Sequence, residues 1–415
     1  MPHVVFIAPR FLENTNRYLR AFTALDDITL SVISEDPAAA MPAALRPRVA
    51  AHYGVTDCLD GAQLTVATRA LRNHVGPVDR LAGVLEQLQL PMAHARDALG
   101  IEGMGVEVAR NFRDKDRMKA VLRAHGVPVA RSALVHSVAE LHTFIGRVGL
   151  PVIVKPQAGL GTRATHRIEA SSDLDALVAR GEGPTQTVPL QVEEFVRARE
   201  FTCETVTVRG QVVWRSGTRY FPSPLEAVET PWMQYCVLLP REEEGPPWDG
   251  FAPINTAALR SLLGDAATTA AGTALSHMEW FLQEDGTRLV NEVGARPPGV
   301  QIMPMMSLAH EQDMIAAWAE LITHDRFVPR PRRWACGAAF LRGHGAGTRV
   351  ASVTGVDEAV EAVGEALVEL RSPKVGMPRA PGYEGEGWAL VRHPTTAGAT
   401  EALRALIERV QVRYG

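Results

Sequence analysis

The chain has 415 residues, 46% hydrophobic and 22% charged, with 43 Lys and Arg against 47 Asp and Glu and a formal net charge of −4. That length exceeds what one ordinary hydrophobic core organises, so roughly two to four domains or subdomains are expected. The near balance of charge argues against a nucleic-acid or polybasic membrane partner, either of which needs a basic excess or patch. The cysteines Cys58, Cys203, Cys236 and Cys336 are far apart and form no Cys-x-x-Cys pair. Neither a disulfide framework nor a zinc knuckle is expected, and a reducing cytoplasm suits them.

The first apolar run, Val4-Val5-Phe6-Ile7-Ala8, is too short for a signal-peptide core or a membrane span and reads as a buried strand. A helical segment around Asn14–Leu25 and a strand at Thr29–Ile33 follow, an alternation that implies a parallel sheet. No Gly-x-Gly-x-x-Gly follows the first strand, so the dinucleotide fingerprint is absent. A helical stretch over Val78–Leu99 and the segment Gly100–Gly105 bring this domain to its end near Phe112.

Asp114 can cap a helix whose apolar positions are Met118, Val121 and Leu122, with Gly126 as its stop. Ser137 and Glu140 form a capping box before Leu141, Phe144, Ile145 and Val148, and Gly149 ends that helix. The strand Val152-Ile153-Val154-Lys155 breaks at Pro156 into the loop Ala158-Gly159-Leu160-Gly161-Thr162. A short helix is expected at Asp173–Val178, and two strands flank Arg209-Gly210, at Phe201–Val208 and Gln211–Arg215. Phe221–Pro253 is rich in Pro and Glu and reads as a long surface excursion. A helix near Thr256–Ala274, a strand pair around Asp285-Gly286, the linker Val328–Arg333 and a smaller α/β module complete the chain.

Met278 to Arg296 is the most informative segment. Asp-Gly between hydrophobic runs signals a two-residue hairpin loop. Counting outward from Asp285 and Gly286 pairs Glu284 with Thr287 and Glu279 with Glu292, both glutamates on one face with Cβ atoms about 5 Å apart. Two such carboxylates repel unless one is protonated or a cation lies between them, and Mg²⁺ with bound phosphates is the usual resolution. The plainer reading is an exposed hairpin whose glutamates face water, since one residue of register would separate them.

Other elements are weaker alone. Lys155, Gly159, Gly161 and Thr162 can surround phosphate oxygens with N–H groups and an ammonium, or can be an ordinary turn. Gln191-Val192-Glu193-Glu194-Phe195-Val196, then Glu200, can equally be a strand with a solvated acidic end. Gly343-His344-Gly345-Ala346-Gly347 lacks the Lys-Ser/Thr of a phosphate loop and reads as a tight turn. His277 beside Glu279, and His166 with Arg163 and Arg167, are further candidates, with a hydrogen-bonded core histidine the better reading of the first. No convincing base lies near Cys203 or Cys236 in sequence, so nucleophilic thiol chemistry has little support.

Taken in order, Lys115, Lys155 with its glycine loop, Glu193 to Val196, Glu200, the Glu279/Glu292 pair and Arg296 resemble the ATP-grasp superfamily over about Arg113–Leu321. The flanks look like the pre-ATP-grasp and small C-terminal domains of its biotin-carboxylase-like branch. The resemblance implies an α/β (α+β) ATP-grasp fold: a parallel-sheet domain at 1–112, an ATP-grasp domain at 113–327 with a lid about 126–191, and a small C-terminal α/β module at 328–415.

It also implies roles. Lys115 and Lys155 would contact ATP phosphates. Gly159, Gly161 and Thr162 would form the phosphate-covering loop. Glu193 with the backbone of Glu194 and Val196 would hold adenine, and Glu200 the ribose. Glu279 and Glu292 would bind Mg²⁺, with Mn²⁺ as a substitute, and Arg296 would stabilise the transferred phosphoryl group and the activated carboxylate. One departure stands out: where the family usually has Glu-x-Asn-x-Arg, this chain has Glu292-Val293-Gly294-Ala295-Arg296, so a metal ligand is missing.

The resemblance implies a cytoplasmic carboxylate–amine ligase acting on small molecules through an acyl phosphate, with an amino acid as acceptor and compatible with a homodimer. Arg215, Arg219 and Arg379 are guesses for a substrate-carboxylate anchor. A bicarbonate-activating, biotin-carboxylase-like reaction is the first alternative. Against it, Arg296 is followed by Pro297-Pro298-Gly299-Val300-Gln301 rather than by the catalytic Glu of that branch. A nucleotide-binding protein without catalysis, suggested by Gly294, is the second.

Overall fold

The computed structural model describes residues 1–157, 165–230, 232–242, 245 and 247–415. The N-terminal sheet is parallel throughout, in the spatial order Ala51–Gly54, Thr29–Ser34, His3–Ile7, Arg80–Ala82. Its first strand is buried along its whole length because both faces are covered. Val4 and Phe6 pack with Phe22 and Trp318 on one side, Val5 and Ile7 with Leu64 and Leu71 on the other. The expected helix at Val78–Leu99 divides here: Arg80–Ala82 is the edge strand, and the α-helix covers only Gln89–Leu99. The short Arg-Leu-Ala strand carries no period of its own, so the helical pattern downstream masked it.

A small antiparallel sheet follows, ordered Ser132–Val135, Leu190–Glu194, Val152–Pro156, His166–Ile168. Helices Val138–Val148 and Ser171–Ala179 cover one face, where Val135, Leu141, Val152, Val154, Leu177 and Val192 form the core. By strand alternation Ile153, Lys155 and Glu193 fall on the opposite face. Ser137 accepts from Glu140 N–H at 3.2 Å, and Glu140 returns a bond to the His136 N–H at 2.8 Å. Asp114 caps helix Lys115–Ala124 by accepting from the N–H groups of Asp116 and Arg117.

The largest sheet has eight strands, in the order Arg288–Gly294, Ala274–Leu282, Arg199–Val208, Gln211–Phe221, Tyr235–Leu239, Ala335–Leu341, Gly387–His393, Leu367–Arg371, each antiparallel to its neighbours. Arg209 (φ 46°) and Gly210 (φ 75°) make the tight turn between the third and fourth strands, left-handed at both positions as a two-residue hairpin requires. The last three strands come from the C-terminal segment, so its core is continuous with this sheet. A separate three-stranded sheet, Gly343–His344, Gln411–Tyr414 and Val350–Thr354, caps that end. Helix Phe251–Leu263 packs Phe251, Leu259 and Leu262 beneath Met278, Trp280 and Val293. It starts and stops earlier than the expected Thr256–Ala274, whose last residue opens a strand instead.

The segment Phe221–Pro253 corrects the sequence reading most. It contains helix Pro224–Glu229 and the strand Tyr235–Leu239, which is buried at every position in the middle of the large sheet. Flanking prolines and glutamates disguised a five-residue strand. Trp248 anchors the rest edge-on to Phe201 (5.5 Å) and Trp280 (5.8 Å), against the bare face of Gly217, where a Cβ would lie 2.3 Å from the indole. Gly217→Leu should therefore cost about 1–3 kcal/mol by overpacking. Urea unfolding checks this, and an unchanged midpoint would show Trp248 free to move away.

Candidate active site

A cleft of about 2230 Å³ lies between the small sheet and the large one, lined by Lys115, Lys155, Glu193, Glu200, Glu279, Glu292 and Arg296 among others. Every described residue that the sequence set aside for nucleotide or metal is therefore at this cleft, including Glu194 and Val196. Gly159, Gly161 and Thr162 lie outside the described residues.

The hairpin that carries the two glutamates turns differently from the expectation. Gln283 N–H donates to the Thr287 carbonyl at 2.9 Å and Leu282 faces Arg288, so the pairing starts one residue out of step with a two-residue loop. An irregularity in the ladder around Asn291 restores the count, and Glu279 does face Glu292. This bulge places two consecutive residues, Asn291 and Glu292, on the cleft side. Asn291 Nδ2 donates to Glu279 Oε2 at 3.3 Å. Sequence counting could not see the bulge; the pair survived because two one-residue errors cancel.

Positive charge meets these carboxylates from helix Lys115–Ala124. Lys115 Nζ lies 2.7 Å from Glu292 Oε1. One turn on, Lys119 Nζ lies 2.8 Å from Glu193 Oε2, while Lys155 Nζ approaches Glu193 Oε1 at 3.1 Å. Burial alone would raise the Glu193 carboxyl, but the two ammoniums overcome it and hold the group down to about 2. Burial in turn pushes Lys119 down to about 8 against the pull of Glu193. For Glu292 burial opposes ionisation, and Lys115 and Lys155 bring the carboxyl below its ordinary value. Lys119 went unnoticed in the sequence, although its spacing from Lys115 puts both on one helical face.

Arg296 is oriented from the parallel sheet. Its Nε and Nη2 donate to Glu86 Oε2 at 3.2 and 2.9 Å, and Glu86 also pairs with Arg113. Nothing in the sequence near Glu86 announces this. His277 is buried between Glu204, 2.8 Å from Nδ1, and Glu279, 3.8 Å from Nε2. Burial lowers the imidazole, and the two carboxylates overcome this and raise it to about 9. Burial first and Glu279 second push the Glu200 carboxyl well above its ordinary range.

Several expectations change form. The Glu193 carboxylate is turned to two lysines, and Glu194 is bound by Arg131 N–H and Nε at 2.7 and 2.5 Å, so contact with a base would fall to the backbone near Val196. Arg215, Arg219 and Arg379 do not line the cleft. Along Gln211–Phe221 it is Tyr220 that faces the cleft, while Arg219 stacks over Phe201 and Phe221 and Arg215 bonds Asn255 and Thr256. Arg379 lies over Tyr414, 4.7 Å from the ring centroid. His166 and Arg167 do line the cleft, and His344 sits in a short strand against Gln234. All four cysteines are buried and free, their thiols pushed up to about 12 chiefly by burial.

Residues 114–206 match the family described as carbamoyl-phosphate synthase L chain, ATP binding domain. The solved L-amino acid ligase of Bacillus licheniformis superposes with a TM-score of 0.74 over 100% of this chain and 99% of that one, at 18% identity. Over the matched residues and in its fold the chain is similar to the ATP-grasp superfamily. Among sequence relatives, the chain is 25% identical over 287 residues to the L-arginine-specific L-amino acid ligase of Bacillus subtilis, covering 68% of this chain and 65% of that protein. It is 34% identical over 139 residues to a D-alanine–D-alanine ligase of Frankia casuarinae, 32% of each chain. The chain thus spans less than two thirds of the length of either relative.

ATP-grasp proteins bind ATP together with Mg²⁺. The donor set here suits a hard divalent ion: two opposed carboxylates, flanked by Lys115 at Glu292 and by His277 and the Asn291 amide at Glu279, offer oxygen ligands. Among the described residues no cluster of three or more His, Cys, Asp or Glu forms a self-sufficient metal cage. At Gly294 a Cβ would meet only the Arg296 side chain, at 3.7 Å, so the missing ligand reflects no shortage of space.

Glu193 ties two buried ammoniums, and its removal strands both. Glu193→Gln should destabilise by about 3–5 kcal/mol. Because the folded carboxyl sits near 2 rather than 4.5, that contribution is complete above pH 4.5 and fades as the pH falls towards 2. Urea unfolding of wild type and variant should show the gap narrowing on acidification below pH 4.5; a constant gap would contradict the assignment.

Proposed function

We propose that the protein is an ADP-forming ligase that joins a carboxylate, activated as an acyl phosphate, to an amine, with an amino acid as the acceptor. The observation that carries the reading is the convergence of Lys115, Lys155, Glu279, Glu292 and Arg296 on one cleft, with no thiol nucleophile lining it. Two relatives that carry amino acid ligase names support it.

In this reading a carboxylate oxygen attacks the γ-phosphorus of ATP and ADP leaves. The amine nitrogen then attacks the acyl carbon, inorganic phosphate leaves and the nitrogen gives up a proton. Lys155 and Lys115 offset phosphate charge, Glu279 and Glu292 hold the Mg²⁺, and Arg296 faces the charge that develops on the transferred group. The metal, when bound, neutralises phosphate oxygens. Glu200 takes the ribose hydroxyls. The small sheet, about residues 126–191, acts as a lid that keeps water from the acyl phosphate. The bicarbonate alternative is not favoured, since Pro297 and Pro298 stand where the biotin-carboxylase branch places its base.

Hydroxylamine traps acyl phosphates as hydroxamates. With ATP, Mg²⁺ and pooled amino acids the protein should yield hydroxamate and ADP, and the isosteric Glu292→Gln should lower the yield on the order of 100-fold. Release of AMP and pyrophosphate would contradict the mechanism, and ADP formed only with bicarbonate and biotin would favour the alternative.

A further inference from the structure

One wall of the cleft is used neither by the lysines nor by the hairpin carboxylates. Tyr220 is only 8% exposed, lines the cleft, and its hydroxyl has no hydrogen bond among the described residues. Behind it Tyr235 is fully buried and its hydroxyl is also without a partner. Tyr383 meets Tyr235 edge-on, with ring centroids 5.0 Å apart at 71°, and Tyr220 lies 6.0 Å from Tyr235. Tyr383 and Glu384 also line the cleft, and Glu384 makes no ion pair or hydrogen bond among the described residues.

These last two residues belong to the loop that joins the adjacent antiparallel strands Leu367–Arg371 and Gly387–His393, and the loop is held firmly. Gly385 (φ 66°) presses against the sheet, where a Cβ would lie 2.7 Å from the Leu341 carbonyl. Glu386 Oε1 accepts from Ala380 N–H and from the Tyr414 hydroxyl, each at 2.7 Å. Burial chiefly raises the Tyr235 and Tyr383 phenols, with Glu279 and Glu384 adding to it, and the Glu384 carboxyl, although its residue is exposed, is itself raised by partial desolvation.

Electron-rich ring faces, hydroxyl oxygens and an unpaired carboxylate all attract a donor-rich cation. A neutral aliphatic group would leave the carboxylate desolvated and unpaired, and an anion would be repelled. Glu200 and Glu279 stand nearby, but the proposed function gives them to ribose and metal; Glu384 remains. We propose that Tyr220, Tyr383 and Glu384 form a subsite for a positively charged group, an ammonium or guanidinium, carried by one substrate at the end remote from its reacting atoms. The substrate class is then a basic amino acid. This rests on the ligase reading for its reaction but not for its binding chemistry.

The test uses the full chain with lysine, arginine, norleucine and glutamate. Calorimetry with Mg²⁺ and a non-hydrolysable ATP analogue should show lysine or arginine binding about 10-fold more tightly than norleucine, a preference removed by E384Q. In turnover, E384Q should raise KM for the basic amino acid about 10-fold with kcat little changed, and Y383F should weaken it less. The affinity of E384Q for Mg-ATP should match wild type. Norleucine or glutamate bound as well as lysine, or lysine binding untouched by E384Q, would overturn the subsite. Lysine bound through Glu384 with no ADP released would support the subsite and remove the ligase reading instead.

Discussion

Three buried charges hold this molecule's cleft in shape: Glu193 between Lys119 and Lys155. Each charge costs several kcal/mol to desolvate, and only mutual pairing makes their burial tolerable. Because the partners come from a helix and from two strands of the small sheet, satisfying Glu193 docks that sheet onto helix Lys115–Ala124. One turn earlier on the same helix, Lys115 reaches the hairpin at Glu292. Two residues beyond the end of the strand that carries Glu292, Arg296 reaches Glu86 beside the parallel sheet. A succession of ion pairs therefore joins the three sheets that meet at the cleft.

The same pairs leave the cleft poised. Lys115 meets Glu292, and His277 lies 3.8 Å from Glu279 but is shared with Glu204, so negative charge remains in excess there and a divalent cation would relieve it. Arg296 and Lys155 are fixed by Glu86 and Glu193 at the cleft wall, so in the proposed reaction neither would need to reorganise as charge moved onto a transferred phosphoryl group. Preorganised charge in a water-poor site is the main resource for such chemistry.

Long periodic elements were legible in the sequence: the buried first strand, the capped helices at Asp114 and Ser137, and the Arg209-Gly210 hairpin all rest on local chemistry. Short elements were not. Tyr235–Leu239 lies among prolines and glutamates, and its burial is set by neighbours 100 residues onward in the chain, such as Phe340. The site divides the same way. Residues in strong local settings, such as Lys155, Glu279 and Glu292, could be singled out. Glu86, Lys119, Asn291 and Tyr383 matter through partners distant in sequence or through a bulge, and no local signal marks them. The arginines chosen for charge alone were misplaced because strand alternation turns Arg219 away from the cleft and brings Tyr220 into it.

The central claim is that this charge framework serves phosphoryl transfer from ATP to a carboxylate. Oxygen tracing tests it most directly. With an amino acid that supports turnover, labelled with ¹⁸O in its carboxylate, an acyl phosphate leaves one labelled oxygen in the inorganic phosphate released. The account predicts that label in phosphate at one atom per amide bond formed. Label found in AMP, or phosphate free of label while the amide accumulates, would contradict it.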